Sequence, residues 1–438
     1  MSQEAFRFLH AGQLRLDHTL QGFGDVPEAV AEILDRGTLR AFERVVDLCA
    51  EQRADFLLLT GNTLVAADHT LSGEAALIRG LEKLDAHQIP VFIIPGELDP
   101  EHYWDTLDGR LPENTTRISA HDPEACTVSA GDHPLATILP LASASGSQQG
   151  NWIDPDYWEE WGDQLASHDA PFPIAMIHQF PIERAIQYGD VPEAMQELLR
   201  HARVRYWASG ATTSRFQASV RGGLWQSPGG TIGIGARDYG SQGCASVEVD
   251  SSGRISSRML PTSPLRREDV TLELRPQSTR AEIITELLAE TERLQRVNTD
   301  RLLCPTVEVR GYGTTFDALH DLEYRRKLTQ EVYELSLAGE LPLWIADWSL
   351  ADSRQGDDLV PTNSRLGAEF LLQWNLWQQT LAEKGETFLD QVSPPKGIPA
   401  EMWNRWREGT SETLVRNSAR RWGLNLLCGT GEESHAHH

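Results

Sequence analysis

His10-Ala11-Gly12-Gln13-Leu14-Arg15-Leu16-Asp17, Leu59-Thr60-Gly61-Asn62 and Ile94-Pro95-Gly96-Glu97-Leu98-Asp99 are the segments on which the fold turns. Each follows a short apolar run: Phe6 to His10, Phe56 to Thr60 and Val91 to Pro95. A continuous apolar run of this length, without polar alternation, suits a strand covered on both faces. Similar runs occur at Leu135 to Leu139 and Ile174 to His178. Between the runs the apolar period changes to that of a helix. Leu39, Phe42, Val46 and Cys49 share one helical face, and Leu77, Leu81 and Leu84 share another. Alternation of strand and helix predicts parallel or mixed pairing with helices covering the faces.

In order and spacing the three segments resemble signatures of the calcineurin-like metallophosphoesterases, specifically the SbcD-like DNA-repair exonuclease branch. There the corresponding text reads His-Thr-Ala-Asp-Leu-His-Leu, Gly-Asp and Gly-Asn-His-Asp. Ala175-Met176-Ile177-His178 resembles the strand that ends in a metal-binding His. Tyr206-Trp207-Ala208-Ser209-Gly210-Ala211-Thr212-Thr213 resembles the family's Tyr-Trp-Ala-Leu-Gly-His-x-His. Ser227 to Gly230 and Gly243 to Asp250 resemble the strands that close the domain. The resemblance implies an α/β fold: a four-layer α/β/β/α metallophosphoesterase sandwich over 1–264, a smaller α+β capping domain over 265–352 and a C-terminal helical region over 353–438 that can dock a partner.

The resemblance also implies a two-metal centre, whose ligand positions carry over onto Gln13, Arg15, Asn62, Glu97, His178, Ala211 and Thr213. The family has Asp, His, Asp and Asn at the first four and His at the last three, so His178 alone keeps its type. The general-acid His falls on Leu98, beside a retained Asp99. Two cations held roughly 3.5–4 Å apart require anionic and imidazole donors. A guanidinium at position 15 stays protonated and repels them. No catalytic residue, metal or cofactor is therefore expected, Mn or Zn entering only if the site has been rebuilt. Arg15, Asn62, His178 and Thr213 remain candidates for binding a phosphate. The plainer reading has Arg15 pointing to solvent from a loop and His178 as a hydrogen-bonded structural residue. Asp17, His18, Asp68, His69 and His102 lie further past the strand ends than the family places its ligands.

The 438 residues include 64 acidic and 39 basic side chains, a net charge of −25 that opposes binding to a phosphate backbone. No apolar stretch approaches the roughly 20 residues of a membrane span. Met1 to Phe6 lacks a signal-peptide pattern, so a cytoplasmic protein is expected. Cys49, Cys126, Cys244, Cys304 and Cys428 form no close pairs, which argues against a disulfide framework, and Cys49 and Cys244 read as core residues. The His-rich end, Ser434 to His438, reads as a tail without a role.

From about Tyr206 glycines punctuate short strands, with a hairpin turn at Ser251-Ser252-Gly253 and a domain exit at Thr262-Ser263-Pro264. Gly229-Gly230 and Gly233-Ile234-Gly235 read as strand and turn glycines, because no helix start follows them. Beyond 265 the pattern gives a strand from Val270 to Leu274, a helix from Arg280 to about Arg296, a strand near Val307 to Arg310, a helix from Asp317 to Leu335 and a strand at Leu343 to Trp348. After a polar break at Gln355 to Asp358, Phe370, Trp374, Trp377 and Leu381 share a helical face. A linker at Ser393 to Gly397 precedes a last helical stretch from about Ala400 to Trp422. That stretch interleaves Arg405, Trp406, Arg407, Arg416, Arg420 and Arg421, an amphipathic pattern more than a nucleic-acid patch. The tryptophans suit either a partner surface or a small helical core.

Three functions follow. The first is a non-catalytic homologue of an SbcD-like exonuclease, scaffolding or regulating a nuclease–ATPase type complex. Its partner would be an SMC-like, SbcC-type ATPase or an active paralogue, with a homodimer as a further possibility and only weak or indirect DNA contact. The second is a metal-dependent phosphoesterase with a rebuilt site using Asp17, Glu97, Asp99 and His178. The third is a phosphate or nucleotide sensor that does not hydrolyse.

Overall fold

The structure is a computed structural model. It describes residues 4–20, 22–118, 125–131, 133–141, 171–178, 203–220, 222–235, 238–295, 301–340, 342–352, 365–384 and 387–393, together with Trp403, Asn404, Arg407, Glu412, Val415, Arg416, Ala419, Arg420 and Gly423. The elements are β1 (Phe6–Ala11), α1 (Glu28–Asp35), α2 (Gly37–Glu51), β2 (Phe56–Thr60), α3 (Leu71–Ala86), β3 (Val91–Ile94), α4 (Glu101–Trp104), β4 (Thr115–Arg117), β5 (Cys126–Ala130), β6 (His133–Leu141), β7 (Pro173–Ile177), β8 (Tyr206–Ser209), β9 (Phe216–Val220), β10 (Gly223–Ser227), β11 (Gly243–Val249), β12 (Ile255–Pro261), β13 (Leu265–Leu274), α5 (Arg280–Gln295), β14 (Leu302–Gly311), α6 (Thr314–Ala318), α7 (Leu322–Ala338), β15 (Asp347–Asp352) and α8 (Arg365–Lys384).

Two six-stranded sheets form the frame, in the orders β12-β11-β1-β2-β3-β4 and β5-β6-β7-β8-β10-β9. In the first, β1 pairs parallel to β2, β2 to β3 and β3 to β4, while β11 runs antiparallel to β1. In the second, β6, β7 and β8 are parallel neighbours. Strand parity explains why the runs are mostly apolar. Leu9, Leu57, Leu59, Val91 and Ile93 pack in one cluster with Phe42, Val46, Leu77 and Leu81 of α2 and α3. The alternate residues Phe8, Phe56, Leu58 and Phe92 pack against Ile138, Ile174, Met176 and Tyr206 of the second sheet. Helices, sheet and sheet are thus three successive layers, as a metallophosphoesterase sandwich requires. The β6–β7 and β7–β8 connections, where a second helical layer would come, lie outside the described residues.

By contact the chain divides into two compact units, Met1–Val309 with Thr314–Leu350, and Arg310–Gly313 with Ala351–His438. The first includes most of the three-stranded sheet β13-β14-β15, whose core joins Val270, Leu272, Val307 and Val309 to Ile283, Leu287, Leu328 and Val332 of α5 and α7. Two boundaries differ from the sequence expectation. The helix expected from Asp317 to Leu335 is broken, because the Asp321 side chain accepts from Glu323 N and starts α7 afresh. The strand expected at Leu343 to Trp348 begins at Asp347. Its first residues bond only irregularly to β14, Trp344 N to Leu303 O and Ala346 N to Pro305 O, because Pro305 has no N–H to return.

The Ser251-Ser252-Gly253 turn joins β11 to β12 as expected, with Gly253 at φ 77° and Asp250 Oδ1 accepting from Ser252 N and Arg254 N. Cys49 and Cys244 are buried free thiols, and burial raises both. In the second unit, Trp374 of α8 meets Phe370, Trp377 and Phe388, and Trp377 meets Phe388, in tilted or edge-to-face contacts at centroid distances of 5.4–5.9 Å. Those tryptophans therefore serve a local apolar cluster. Cys428, Arg405, Trp406, Arg421, Trp422, most of the Ser393 to Gly397 linker and the His-rich end lie outside the described residues. Among the described residues no helix is long and apolar enough to cross a membrane.

Candidate functional site

Five parallel strands, β1, β2, β3, β7 and β8, end at the same edge of the two sheets. Open α/β sheets place their sites at this carboxyl edge. The turns that leave it carry Gln13, Arg15, Asn62, Glu97, Leu98, His178, Ala211 and Thr213. Close backbone approach holds the turns together. A Cβ on Gly210 would lie 1.6 Å from Thr60 O, and one on Gly61 would lie 2.2 Å from His178 Nδ1. Gln13 N donates to Gly61 O, Arg15 N to Asn62 O and Leu16 N to Thr63 O, which lays the first turn along the second.

That arrangement bends three side-chain-bearing residues into the left-handed region: Gln13 at φ 52°, Arg15 at 46° and Asn62 at 51°. Each costs about 1–2 kcal/mol for a residue with a Cβ, so the surrounding bonds must hold it there. The three side chains also bond one another. Gln13 Oε1 accepts from Arg15 Nε at 2.9 Å and Asn62 Nδ2 at 3.1 Å, while Gln13 Nε2 donates to Gly210 O at 2.6 Å. Asn62 Oδ1 accepts from Leu98 N. Gln13 and Asn62 are fully buried, and Arg15 is half-buried.

Asp99, the retained acid, is buried and acts on the backbone. Oδ1 accepts from Asn62 N and Gly96 N, and Oδ2 from Thr63 N and Leu64 N. Burial pushes its carboxyl up to about 7 against the pull of those donors. Asp17 has a similar task, binding Val65 N, Thr70 N and Thr70 Oγ1. His69 contacts Glu74, and His18 lies 4.0 Å from Asp68. Of the four residues suggested for a rebuilt site, Asp17 and Asp99 are thus engaged in fixing turns.

His178 Nδ1 lies 2.9 Å from Thr60 O, and a carbonyl only accepts, so Nδ1 carries the proton and Nε2 is a bare acceptor while the ring is neutral. Burial holds its pKa down, assisted by Arg15 and opposed by the Thr60 bond and by Glu97. Arg15 is lowered by desolvation, against the attraction of Asp238 and Glu97. Glu97 is exposed, and Ala211 and Thr213 are half-buried.

These residues do not fit a pair of metal ions. The groups at the first three ligand positions are two carboxamides and a guanidinium that bond one another through Gln13 Oε1, and Ala211 offers no donor. Among the described residues no three His, Cys, Asp or Glu side chains group closely enough to hold an ion.

A network that the motifs do not signal lies beneath the site. His10, fully buried between the sheets, contacts Tyr206 OH through Nδ1 and Thr60 Oγ1 through Nε2, each at 2.9 Å. Tyr206 OH donates onward to Gln226 Oε1 at 3.2 Å. Burial depresses His10 to about 3. The available signal was parity: His10 occupies the β1 face of Phe6 and Phe8, which meets the second sheet.

Residues 9–211 match the model of the calcineurin-like phosphoesterase family. Over 252 residues the chain is 25% identical to an uncharacterized metallophosphoesterase, YhaO, of Bacillus subtilis, the alignment covering 57% of this chain and 58% of that protein. The chain therefore spans less than two thirds of that relative's length. A dimetal phosphatase from Danio rerio aligns with 59% of this chain and 99% of its own at 13% identity and a TM-score of 0.39.

Proposed function

We propose that residues 9–211, which match the calcineurin-like phosphoesterase family, form a non-catalytic domain: a pseudoenzyme that scaffolds or regulates a complex. The observation that carries this reading is the Gln13–Arg15–Asn62 network. The left-handed backbone of a ligand cradle is held in place while its side chains close on each other. A hydroxide generated at neutral pH needs a cation to depress the pKa of water, and a half-buried guanidinium occupies that ground. Leu98, at the general-acid position, carries no proton to give.

The likeness of the motifs to the SbcD-like branch supports a place in a cytoplasmic nuclease–ATPase type assembly. An SbcC-type ATPase or an active paralogue would supply the chemistry, and DNA contact would be indirect. The 265–352 and 353–438 segments would serve as cap and docking region. A phosphate sensor is the second reading. It is favoured by the terminal nitrogens of Arg15, which make no hydrogen bond among the described residues, and by the bare Nε2 of His178. Asn62 is already engaged through both amide atoms, which weakens its share in that reading.

Elemental mass spectrometry on purified, untagged protein, together with a manganese-supplemented nuclease assay on linear DNA, tests the proposal. The expected result is no stoichiometric metal and no cleavage. About one or two ions per chain with cleavage would establish a rebuilt site and end the pseudoenzyme reading.

A further inference from the structure

A cavity of about 490 Å³ opens between the loop at Phe23 to Asp25, helix α7 and the residues leading into β15. The volume lies in the range of roughly 300–1,000 Å³ that accommodates small molecules. It is lined by none of the strand-end residues described above and does not depend on their reading.

Its walls are aromatic: Phe23 and Trp344 are buried and Trp348 is half-buried. Both indole N–H groups are already engaged, Trp344 Nε1 on Phe23 O at 3.1 Å and Trp348 Nε1 on Thr329 Oγ1 at 3.0 Å. The indoles therefore offer apolar surface to an occupant without competing donors, while the Arg267 guanidinium already lies over the Phe23 ring at 4.1 Å.

The charges around the cavity are unevenly matched. Arg326 pairs with Asp25 at 2.8 Å, and Lys327 with Glu323 at 2.7 Å. Asp347 Oδ1 accepts from Trp348 N. Arg325 is left over. It is half-buried, and its Nε is shut off from water with no hydrogen-bond partner among the described residues. Arg325 also lines the cavity, and a half-buried guanidinium with no ion pair among the described residues, set beside apolar walls, attracts an anion. No acidic side chain among the described residues bonds to Arg325 Nε. Asp25 and Asp347, which also line the cavity, oppose a second negative charge on the occupant.

We propose that this cavity binds a flat apolar monocarboxylate, its ring system between Phe23, Trp344 and Trp348 and its carboxylate on Arg325. One anionic group satisfies the guanidinium, and an aromatic body offsets the desolvation of the walls.

Calorimetric titration of the full chain with naphthoate and with uncharged naphthylmethanol tests the assignment. Naphthoate should bind about tenfold tighter or better, the worth of a charged hydrogen bond. Arg325→Met, which keeps an apolar stem, should abolish that preference and leave the alcohol's affinity unchanged. Arg326→Met, removing a cation that Asp25 already neutralises, should leave the preference intact. Equal affinity for the two compounds, no binding of either, or undiminished naphthoate binding by Arg325→Met would overturn the proposal. If Arg325→Met does not fold, as judged by circular dichroism, the comparison of the two compounds on the unmodified chain decides alone.

Discussion

His10 illustrates how one buried side chain sets a pH dependence. Its folded pKa is about 3, against an ordinary value of 6.5, because burial penalises the imidazolium. Between these values the unfolded chain holds a proton on His10 that the folded chain does not. Stability from this residue is complete above pH 6.5 and falls, as pH drops toward 3, by about 1.4 kcal/mol per unit. Urea unfolding of wild type and His10→Gln across pH 4–8 should show the stability difference constant above about pH 7 and shrinking below it. A constant difference at every pH would mean that His10 is not buried neutral. Arg15 belongs to the same scale. The combined reversion Gln13→Asp, Arg15→His, Asn62→Asp, Glu97→Asn, Leu98→His, Ala211→His and Thr213→His should take up manganese and gain a metal-dependent thermal shift, while single reversions should do little. Asp and His tolerate left-handed backbone better than Gln and Arg, which offsets part of the cost of losing the Gln13 and Arg15 hydrogen bonds at those positions. A revertant that folds and binds no metal would show that these turns are not a ligand cradle. The positions were legible in the sequence because each follows a buried strand. The mutual bonding of Gln13, Arg15 and Asn62 was not, since it depends on side-chain directions set by three left-handed residues.

At the scale of elements, α2 and α3 end in the same way. Arg53, at φ 54°, follows α2 with Ala54 N bonded to Cys49 O, and Gln88, at φ 57°, follows α3 with Ile89 N bonded to Leu84 O. These are Schellman closures, in which glycine is the favoured residue. Both side chains are exposed, so little is lost by removing them. Arg53→Gly and Gln88→Gly should each raise unfolding free energy by about 0.5–1 kcal/mol, net of glycine's greater unfolded-state entropy, and should be nearly additive. A lowered urea midpoint in either variant would contradict this. Gly210→Ala should act in the opposite sense and cost about 3 kcal/mol or more, because its Cβ would collide with the Thr60 carbonyl across the two sheets. The strands and helices of the sandwich were readable because burial on both faces leaves a continuous apolar run. The start of β15 and the break before α7 were not. They follow from a missing N–H at Pro305 and a capping carboxylate at Asp321, local events that leave the apolar period unchanged.

For the molecule as a whole, charge bears most directly on partners. A net charge of −25 over 438 residues repels a polyphosphate chain at long range, and salt screens that repulsion without reversing it. Several basic side chains are also committed to acids, Arg7 to Glu248, Arg117 to Asp105 and Asp108, and Arg280 to Glu331. Non-specific DNA affinity comes from counterions released by unpaired cations, and cations already held by acids contribute less to it. Fluorescence anisotropy with labelled duplex should give a dissociation constant no tighter than about 10⁻⁴ M at physiological salt, with a shallow dependence on salt concentration. Micromolar binding with a steep salt dependence would instead locate a basic tract able to neutralise several phosphates, and would make the chain itself the DNA-contacting subunit. Weak binding that becomes tight only when an ATPase partner is added would place the DNA contacts on that partner, as a scaffolding role requires.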